Sequence, residues 1–215
     1  MQIKFRNYII KFVMIGIINY GMGNIGSISN MLKKIGFDSE IISDPKLIHE
    51  ATGIILPGVG SFDNAMDKLN NGGWVDEIKL FVSQDKPFLG ICLGMQLLGS
   101  KSQEGIKVGL NLIPGEIIKF PREKDFKIPH MGWNSVKTSD TILFKDLNNL
   151  NKFYFVHTYH FVPKDDKHIL STTDYFVDFV SSIRKKNIFG VQFHPEKSHK
   201  FGMKLLENFC KYIYY

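Results

Sequence analysis

The chain has 215 residues, of which 44% are apolar, and carries a formal net charge of +6. This length supports one substantial hydrophobic core, and no linker rich in proline, serine or glycine divides it. Its lysines are scattered and no base-reading motif accompanies them, so we expect no nucleic-acid partner. We predict a single domain over residues 14–215, preceded by an N-terminal extension or an upstream start over residues 1–13.

Two features bear on the cellular compartment. The apolar stretch over residues 8–18 resembles a signal peptide, but Lys11 interrupts it and no small-residue cleavage site follows. The stretch is also too short to cross a bilayer, so we expect no membrane association. The two cysteines, Cys92 and Cys210, are too few for a disulfide framework, which predicts a reducing, cytoplasmic location.

Apolar runs alternate with helical patterns through the first half of the chain. Strands are predicted over 14–18, 40–42, 54–56 and 88–91, and helices over 27–35, 63–69, 75–82 and 95–98. Such alternation is typical of an α/β fold with a mostly parallel central sheet flanked by helices. Further strands are predicted over 115–120, 153–158, 169–173 and 177–183. These short pieces indicate antiparallel additions to the sheet, and Ser198 is a candidate N-cap for a final helix.

The string GICLG at residues 90–94 combines an apolar strand with a glycine-bracketed turn. Glycines two residues before and after Cys92 suit a sharp strand-to-helix turn, which has no room for side chains. A thiol at the start of a helix lies in a positive field that favours the thiolate, the nucleophilic species. We interpret Cys92 as a nucleophile; the alternative is a buried structural cysteine.

A second apolar run, over residues 188–193, leads to His194 and Glu196. An imidazole at the end of a strand of an open α/β sheet lies at the edge where such sheets have their active-site residues. With Cys92, the pair forms a nucleophile, a base and an orienting carboxylate. On its own, a His-x-Glu pair is more often a satisfied surface or core pair.

Together these strings resemble the class I glutamine amidotransferases. The resemblance is carried by GICLGMQ at 90–96, GVQFHPEKS at 190–198 and PGVG at 57–60. Three further strings are similar to those of glutaminase subunits of imidazole glycerol phosphate synthases: YGMGN at 20–24, PHMGWN at 129–134 and YFVHTY at 154–159. The resemblance covers most of the chain and implies the flavodoxin-like class I glutamine amidotransferase fold.

The resemblance implies that Cys92, His194 and Glu196 hydrolyse glutamine to glutamate and ammonia without metal or cofactor. Ammonia released into water becomes mostly ammonium, so a partner is expected to accept it. The resemblance implies a separate (β/α)₈-barrel cyclase in histidine biosynthesis, the two chains forming a heterodimer. A paralogous glutaminase that supplies ammonia for amidination of a surface sugar remains the alternative.

Further residues receive roles from these motifs. The backbone N–H groups of Val59 and Leu93 are candidate oxyanion donors, although the Val59 string also reads as an ordinary strand-ending turn. The resemblance implies that four residues hold the glutamine: Gly58, Gln96, Thr158 and Tyr159. It implies that three lie at the partner interface: Asn24, Trp133 and Lys197. By itself Gln96 fits a solvated helix position, Trp133 a core aromatic and Lys197 a surface lysine.

Two other classes of enzyme compete with this interpretation. Glycines at 21, 23 and 26 follow a strand and open a helix with the spacing of a dinucleotide-binding fingerprint, and Glu40 and Asp44 lie near the distance for a ribose contact. An oxidoreductase, however, leaves the Cys92 and His194 strings unexplained. A standalone cysteine hydrolase acting on γ-glutamyl peptides shares the nucleophile and base, but Gln96 and the string at 130–134 favour free glutamine and a partner.

Overall fold

The computed structural model describes residues 14–121, 127–138, 142–147 and 151–214. The predicted extension over residues 1–13 lies outside them. Within the described residues no helix has the length and apolar character needed to cross a membrane.

The first half of the chain forms parallel strands covered by helices, as predicted. Its strands are β1 (Ile15–Ile18), β2 (Ser39–Ile42), β3 (Gly53–Gly58) and β4 (Phe88–Cys92). Its helices are α1 (Ile25–Lys34), α2 (Phe62–Asn71), α3 (Trp74–Ser83) and α4 (Leu93–Leu97). Strand β1 pairs in parallel with β2 and β3, and β3 pairs in parallel with β4.

The second half adds shorter strands and one long helix. The strands are β5 (Lys101–Ser102), β6 (Gly115–Lys119), β7 (His130–Ser135), β8 (Lys137–Thr138), β9 (Lys152–His157), β10 (Tyr159–Pro163), β11 (Ile169–Tyr175), β12 (Val177–Lys185) and β13 (Ile188–Val191), followed by α5 (His199–Tyr214). In the described residues the main sheet has the order β2-β1-β3-β4-β13-β12-β10-β6-β5, with β11 and β8 attached through β12. Strand β13 is parallel to its neighbour β4 and antiparallel to its other neighbour, β12. The predicted α/β class and antiparallel additions are confirmed.

One predicted addition to the sheet was wrong. The strand at 153–158 is β9, which pairs with β7 in a separate two-stranded ribbon instead of joining the main sheet. Alternate side chains of β9 pack on the aromatic core: the Phe153 ring stacks on Phe193 at 4.0 Å, and the Phe155 ring meets Phe179 edge-on at 5.8 Å. The ribbon therefore buries one face against the domain and exposes the other.

Hydrophobic side chains fill the space on both faces of the sheet. In β3, Ile54 and Leu56 pack into the cluster beneath α2 and α3, and Ile55 packs into the cluster beneath α1 and α5. This alternation follows from the two-residue repeat of a strand and explains why the central strands are apolar throughout. The predicted core role of Cys210 is confirmed, because its side chain lies buried in the second cluster.

Ser198 directly precedes α5, at the position predicted for its N-cap, but its hydroxyl contacts other segments instead of the first turn of the helix. The Ser198 hydroxyl donates to the carbonyl oxygen of His194 at 2.6 Å and accepts the N–H of Tyr154 at 3.0 Å. The residue thus ties the helix start to β9 and to the segment that carries His194.

Candidate active site

Cys92 lies at the last position of β4, and α4 begins with the next residue. Its backbone φ of 56° falls in the left-handed region, which residues other than glycine rarely adopt. Gly90 and Gly94 make this turn possible: a Cβ on Gly90 would lie 2.5 Å from the Gly94 carbonyl oxygen. The predicted absence of room for side chains at this elbow is confirmed.

His194 and Glu196 reach the same edge of the sheet because β13 runs parallel to β4 as its direct neighbour. Glu196 lies in a single 3₁₀ turn, Pro195–Lys197, and its Oε1 lies 2.8 Å from His194 Nδ1. Both side chains are nearly inaccessible, at 2% and 1% exposed. A carboxylate at this distance requires the proton on Nδ1 and leaves Nε2 to act on other groups.

The electrostatics of the pair favour an ionised carboxylate and a protonated ring. Burial lowers the pKa of His194, but the nearby Cys92 and the charge and hydrogen bond of Glu196 outweigh burial and raise it to about 10. Burial raises the pKa of Glu196, but hydrogen bonds from His194 and Asn24 outweigh it, so this pKa lies below its usual value. At neutral pH the ring therefore holds a proton that it can give to a leaving group.

A cavity of about 310 Å³ lies in front of these groups. Its lining includes Cys92 and His194 together with five of the predicted residues: Val59, Leu93, Gln96, Thr158 and Tyr159. His194 Nε2 has no hydrogen-bond partner in the described part of the chain, so it is available to a thiol or a substrate. The structure thus brings together the predicted nucleophile, base and oxyanion groups around one space.

Gly58 does not line this cavity. A Cβ on Gly58 would lie 2.8 Å from both the Gly94 nitrogen and the Leu93 Cβ, so the glycine allows the end of β3 to pack directly against the elbow. Tyr20 supports the same strand end, because its hydroxyl donates to the Pro57 carbonyl at 3.0 Å.

The Gln96 side chain is fixed by two hydrogen bonds. Its Nε2 donates to the Tyr159 carbonyl oxygen and to Gln192 Oε1, both at 3.0 Å. Gln96 is 5% exposed, so the alternative of a solvated helix residue was wrong. Since both amide protons are engaged, Gln96 has only an acceptor, Oε1, to offer a ligand.

Sequence reasoning missed Glu104 and Gln192. Glu104 lines the cavity and accepts the Phe62 N–H through Oε2 at 2.7 Å, which leaves Oε1 for a ligand. Gln192 is fully buried, and its Nε2 lies 3.8 Å from Cys92 Sγ. The available signal for Gln192 was a polar residue two positions before His194 in an otherwise apolar run. No sequence signal pointed to Glu104.

The glycine-rich turn at residues 21–26 supports the triad. A Cβ on Gly23 would lie 2.7 Å from Pro57 Cβ, so this turn packs against the strand that precedes Val59. Asn24 Nδ2 donates to Glu196 Oε1 at 2.9 Å. The segment whose glycine spacing resembles a dinucleotide fingerprint thus places the Asn24 amide on the orienting carboxylate of Glu196.

We expect Asn24→Asp to lower kcat for the glutamine hydrolysis that the motifs imply roughly tenfold to a hundredfold. The substitution replaces a hydrogen bond to a buried charge with a second carboxylate, which raises the pKa of Glu196 and weakens its hold on His194. Steady-state kinetics at saturating partner would measure the change. Asn30→Asp makes the same charge change at an exposed position of α1 and is the control; equal kcat values for the two variants would contradict this role.

Trp133 and Lys197 both contact Tyr154 on the surface beside the site. The Trp133 indole stacks on His199 at 5.2 Å and meets Tyr154 edge-on at 6.1 Å, while Lys197 Nζ lies 5.7 Å from the centre of the Tyr154 ring. Trp133 is 45% exposed, so the alternative of a core aromatic was wrong.

Among the described residues, no group of three or more histidine, cysteine or acidic side chains has the arrangement of a metal site.

Comparison with known sequences places this site in a family. Residues 16–213 match the family described as glutamine amidotransferase class-I. Imidazole glycerol phosphate synthase subunit HisH 2 of Methanococcus maripaludis is 56% identical over 200 residues, which cover 92% of this chain and 99% of the relative. Subunit HisH 2 of Pseudomonas aeruginosa is 44% identical over 202 residues, with 93% and 100% covered.

Solved structures share the fold at low sequence identity. PurLQS from Thermotoga maritima aligns with a TM-score of 0.74 at 18% identity, covering 93% of this chain and 98% of that one. A glutamine amidotransferase from the same organism aligns with a TM-score of 0.63 at 16% identity, covering 94% of this chain and 84% of that one.

Proposed function

Since the chain belongs to the class I glutamine amidotransferases, and among them to the HisH subunits of imidazole glycerol phosphate synthase, we propose that it hydrolyses glutamine and passes the ammonia to a cyclase partner in histidine biosynthesis. The observation that carries this proposal is that His194, hydrogen-bonded to Glu196, lines one cavity together with Cys92.

The residues support a two-step acyl transfer. The Cys92 sulfur attacks the side-chain carbonyl carbon of glutamine, and the N–H groups of Val59 and Leu93 are the proposed donors to the resulting oxyanion. His194 gives its proton to the amide nitrogen, the C–N bond breaks and ammonia leaves a glutamyl thioester. The ring then removes a proton from water, whose attack breaks the C–S bond and releases glutamate.

Glu104 and Gln96 are the proposed site for the α-ammonium group of glutamine, because each has an acceptor oxygen left for a ligand on the cavity wall. The backbone groups of Thr158 and Tyr159 are proposed to contact the remaining polar groups of the amino acid. A carboxylate beside a cationic group forms a charge-assisted hydrogen bond, stronger than one between neutral groups.

We expect Glu104→Gln to raise KM for glutamine roughly tenfold to a hundredfold and to change kcat little, since the lost hydrogen bond to a charge contributes to binding rather than to chemistry. Initial-rate measurements of glutamate release would test this. Glu116→Gln is the control, because it removes the same charge from a side chain on β6 that is 52% exposed. A fall in kcat at unchanged KM would contradict the assignment.

The exposed side chains of Trp133 and Lys197, together with the half-buried Asn24, are the proposed contact with the partner, a separate chain that we expect to be a (β/α)₈-barrel cyclase. Exposed apolar side chains support docking there: Met131, next to Trp133, is 61% exposed. Ammonia that enters the partner directly avoids protonation in water. A cytoplasmic location fits this activity, because Cys92 must stay reduced and both cysteines are free.

The proposed function is tested by purifying the full chain with the cyclase subunit from the same organism. We expect the pair to form imidazole glycerol phosphate with glutamine as the nitrogen source and to release glutamate in equal amount. The HisH relatives from M. maripaludis and P. aeruginosa both carry the numeral 2 in their names. The same assay also tests the alternative function, in which a different partner accepts the ammonia. Glutamate release that depends instead on a sugar-amidinating partner would identify the paralogous function.

A further inference from the structure

Two buried histidines, of which His157 also lines the cavity, form a hydrogen-bonded line that the acyl-transfer steps do not use. His130 and His157 face each other across the β7–β9 ribbon. His130 Nδ1 lies 3.0 Å from His157 Nε2, and His157 Nδ1 lies 2.8 Å from the carbonyl oxygen of Tyr159. The two residues are 2% and 6% exposed.

The Tyr159 carbonyl fixes the direction of every hydrogen bond in this line. A carbonyl oxygen only accepts, so His157 must carry its proton on Nδ1. In a neutral ring Nε2 is then an acceptor, and His130 must donate to it from Nδ1. His130 Nε2 is left as an acceptor, and Asn134 Nδ2 lies 3.4 Å away as its donor. Both rings are therefore in the Nδ1–H tautomer.

The surroundings keep both rings neutral. Burial lowers the pKa of His130 to about 4. Burial also lowers the pKa of His157 well below its usual value; the Tyr159 carbonyl opposes this, and the neighbouring imidazoles of His130, His160 and His194 add to it. The neutral, directed line is thus the state expected at neutral pH.

The same carbonyl joins this line to the nucleophile. The Tyr159 oxygen also accepts Gln96 Nε2 at 3.0 Å, and Gln96 in turn donates to Gln192, whose Nε2 lies 3.8 Å from Cys92 Sγ. The carbonyl is therefore held by two donors, His157 and Gln96. Loss of the His157 donor leaves the carbonyl with Gln96 alone, so the Tyr159 oxygen and the Gln96 amide that donates to it are less firmly oriented.

We propose that His130 and His157 are positioning residues that hold the Tyr159 carbonyl, and through it Gln96, in the orientation that binds glutamine. This inference rests on the proposed function and deepens it. The line also joins the cavity wall to the β7–β9 ribbon, whose outer face exposes Met131 and Trp133. Hydrogen bonds therefore connect the proposed substrate site to the surface proposed to meet the partner.

Two substitutions of His157 separate the contacts. An asparagine amide reaches the Nδ1 position and keeps a donor to Tyr159, whereas a glutamine amide reaches the Nε2 position and keeps only the contact to His130. With the full chain and its cyclase partner, we expect His157→Gln to raise KM for glutamine about tenfold while kcat stays within about twofold. We expect His157→Asn to keep KM within about threefold of the unsubstituted protein.

Equal KM values for the two variants would overturn the proposal, as would a loss of stability in both at unchanged KM. A second measurement needs no turnover: ¹⁵N NMR of the imidazoles in the full chain is expected to show protonated Nδ1 and unprotonated Nε2 for both residues. A protonated Nε2 on either ring would overturn the proposed line. Failure of the proposed function is distinct, since it would appear as absent glutamine hydrolysis in the unsubstituted protein while the NMR result stands.

Discussion

Cys92→Ala is expected to lower glutamine-dependent synthesis by the complex at least about 1,000-fold while ammonia-dependent synthesis keeps its rate. The substitution removes the sulfur that forms the thioester, but it leaves the fold and the partner's acceptor site in place. Both activities would be measured on one preparation of the full chain with its cyclase, with glutamine or an ammonium salt as the nitrogen source.

Cys210→Ala is the matched control for this result, because it removes the other thiol of the chain at a fully buried site in the core. We expect it to keep both activities. Glutamine-dependent synthesis that survives Cys92→Ala would contradict the assignment of the nucleophile, and so would its loss in Cys210→Ala alone.

Gly94→Ala is expected to destabilise the protein by about 3 kcal/mol or more and to abolish glutamine hydrolysis. A Cβ on Gly94 would overlap the Leu56 carbonyl oxygen, and a backbone atom of a central strand cannot move aside as a side chain can. Relief of the overlap requires α4 to shift away from β3, which displaces Cys92. The midpoint of urea denaturation measures the loss of stability.

Gly26→Ala provides the control for the same change. Nothing lies within 4 Å of a Cβ built on Gly26, which lies in α1. We expect this variant to be as stable as the unsubstituted protein or slightly more stable, because alanine favours a helix over glycine by about 1 kcal/mol. Equal denaturation midpoints for the two variants would show that the elbow tolerates a side chain and would contradict the packing described here.

The elements around the nucleophile could be predicted because their signals are local. The glycines at 90 and 94 lie two residues from Cys92, and the structure shows why both are needed at that turn. The alternation of apolar runs with helical patterns likewise predicts the parallel half of the sheet, since each buried strand and amphipathic helix has its own repeat.

The antiparallel half was harder to predict because strand patterns do not reveal partners. The alternation in β9 is the same whether the strand joins the sheet edge or lies in a ribbon across the core. The stacking of Phe153 on Phe193 accompanies the second arrangement, and these residues are far apart in the chain. Similarly, the strand β7 was not predicted, because its string contains a glycine and polar residues.

Contacts between distant segments account for what sequence reasoning missed in the site. Asn24 and Glu196 are 172 positions apart, and only the packing of the first turn beside β3 brings them together. Glu104 lies in a turn without a motif, so its place on the cavity wall depends on the N–H of Phe62 that it accepts. The roles of the triad and of the substrate residues remain predictions.

The most direct test of the central claim is covalent labelling by a diazoketone analogue of glutamine, read by peptide mass spectrometry of the full chain with its partner. We predict one adduct, on the Cys92 peptide, which excess glutamine suppresses. Cys210 should remain unlabelled, because burial raises the pKa of its thiol to about 12 and leaves it inaccessible. An adduct on any other residue, or labelling of Cys92 that glutamine does not suppress, would contradict the account.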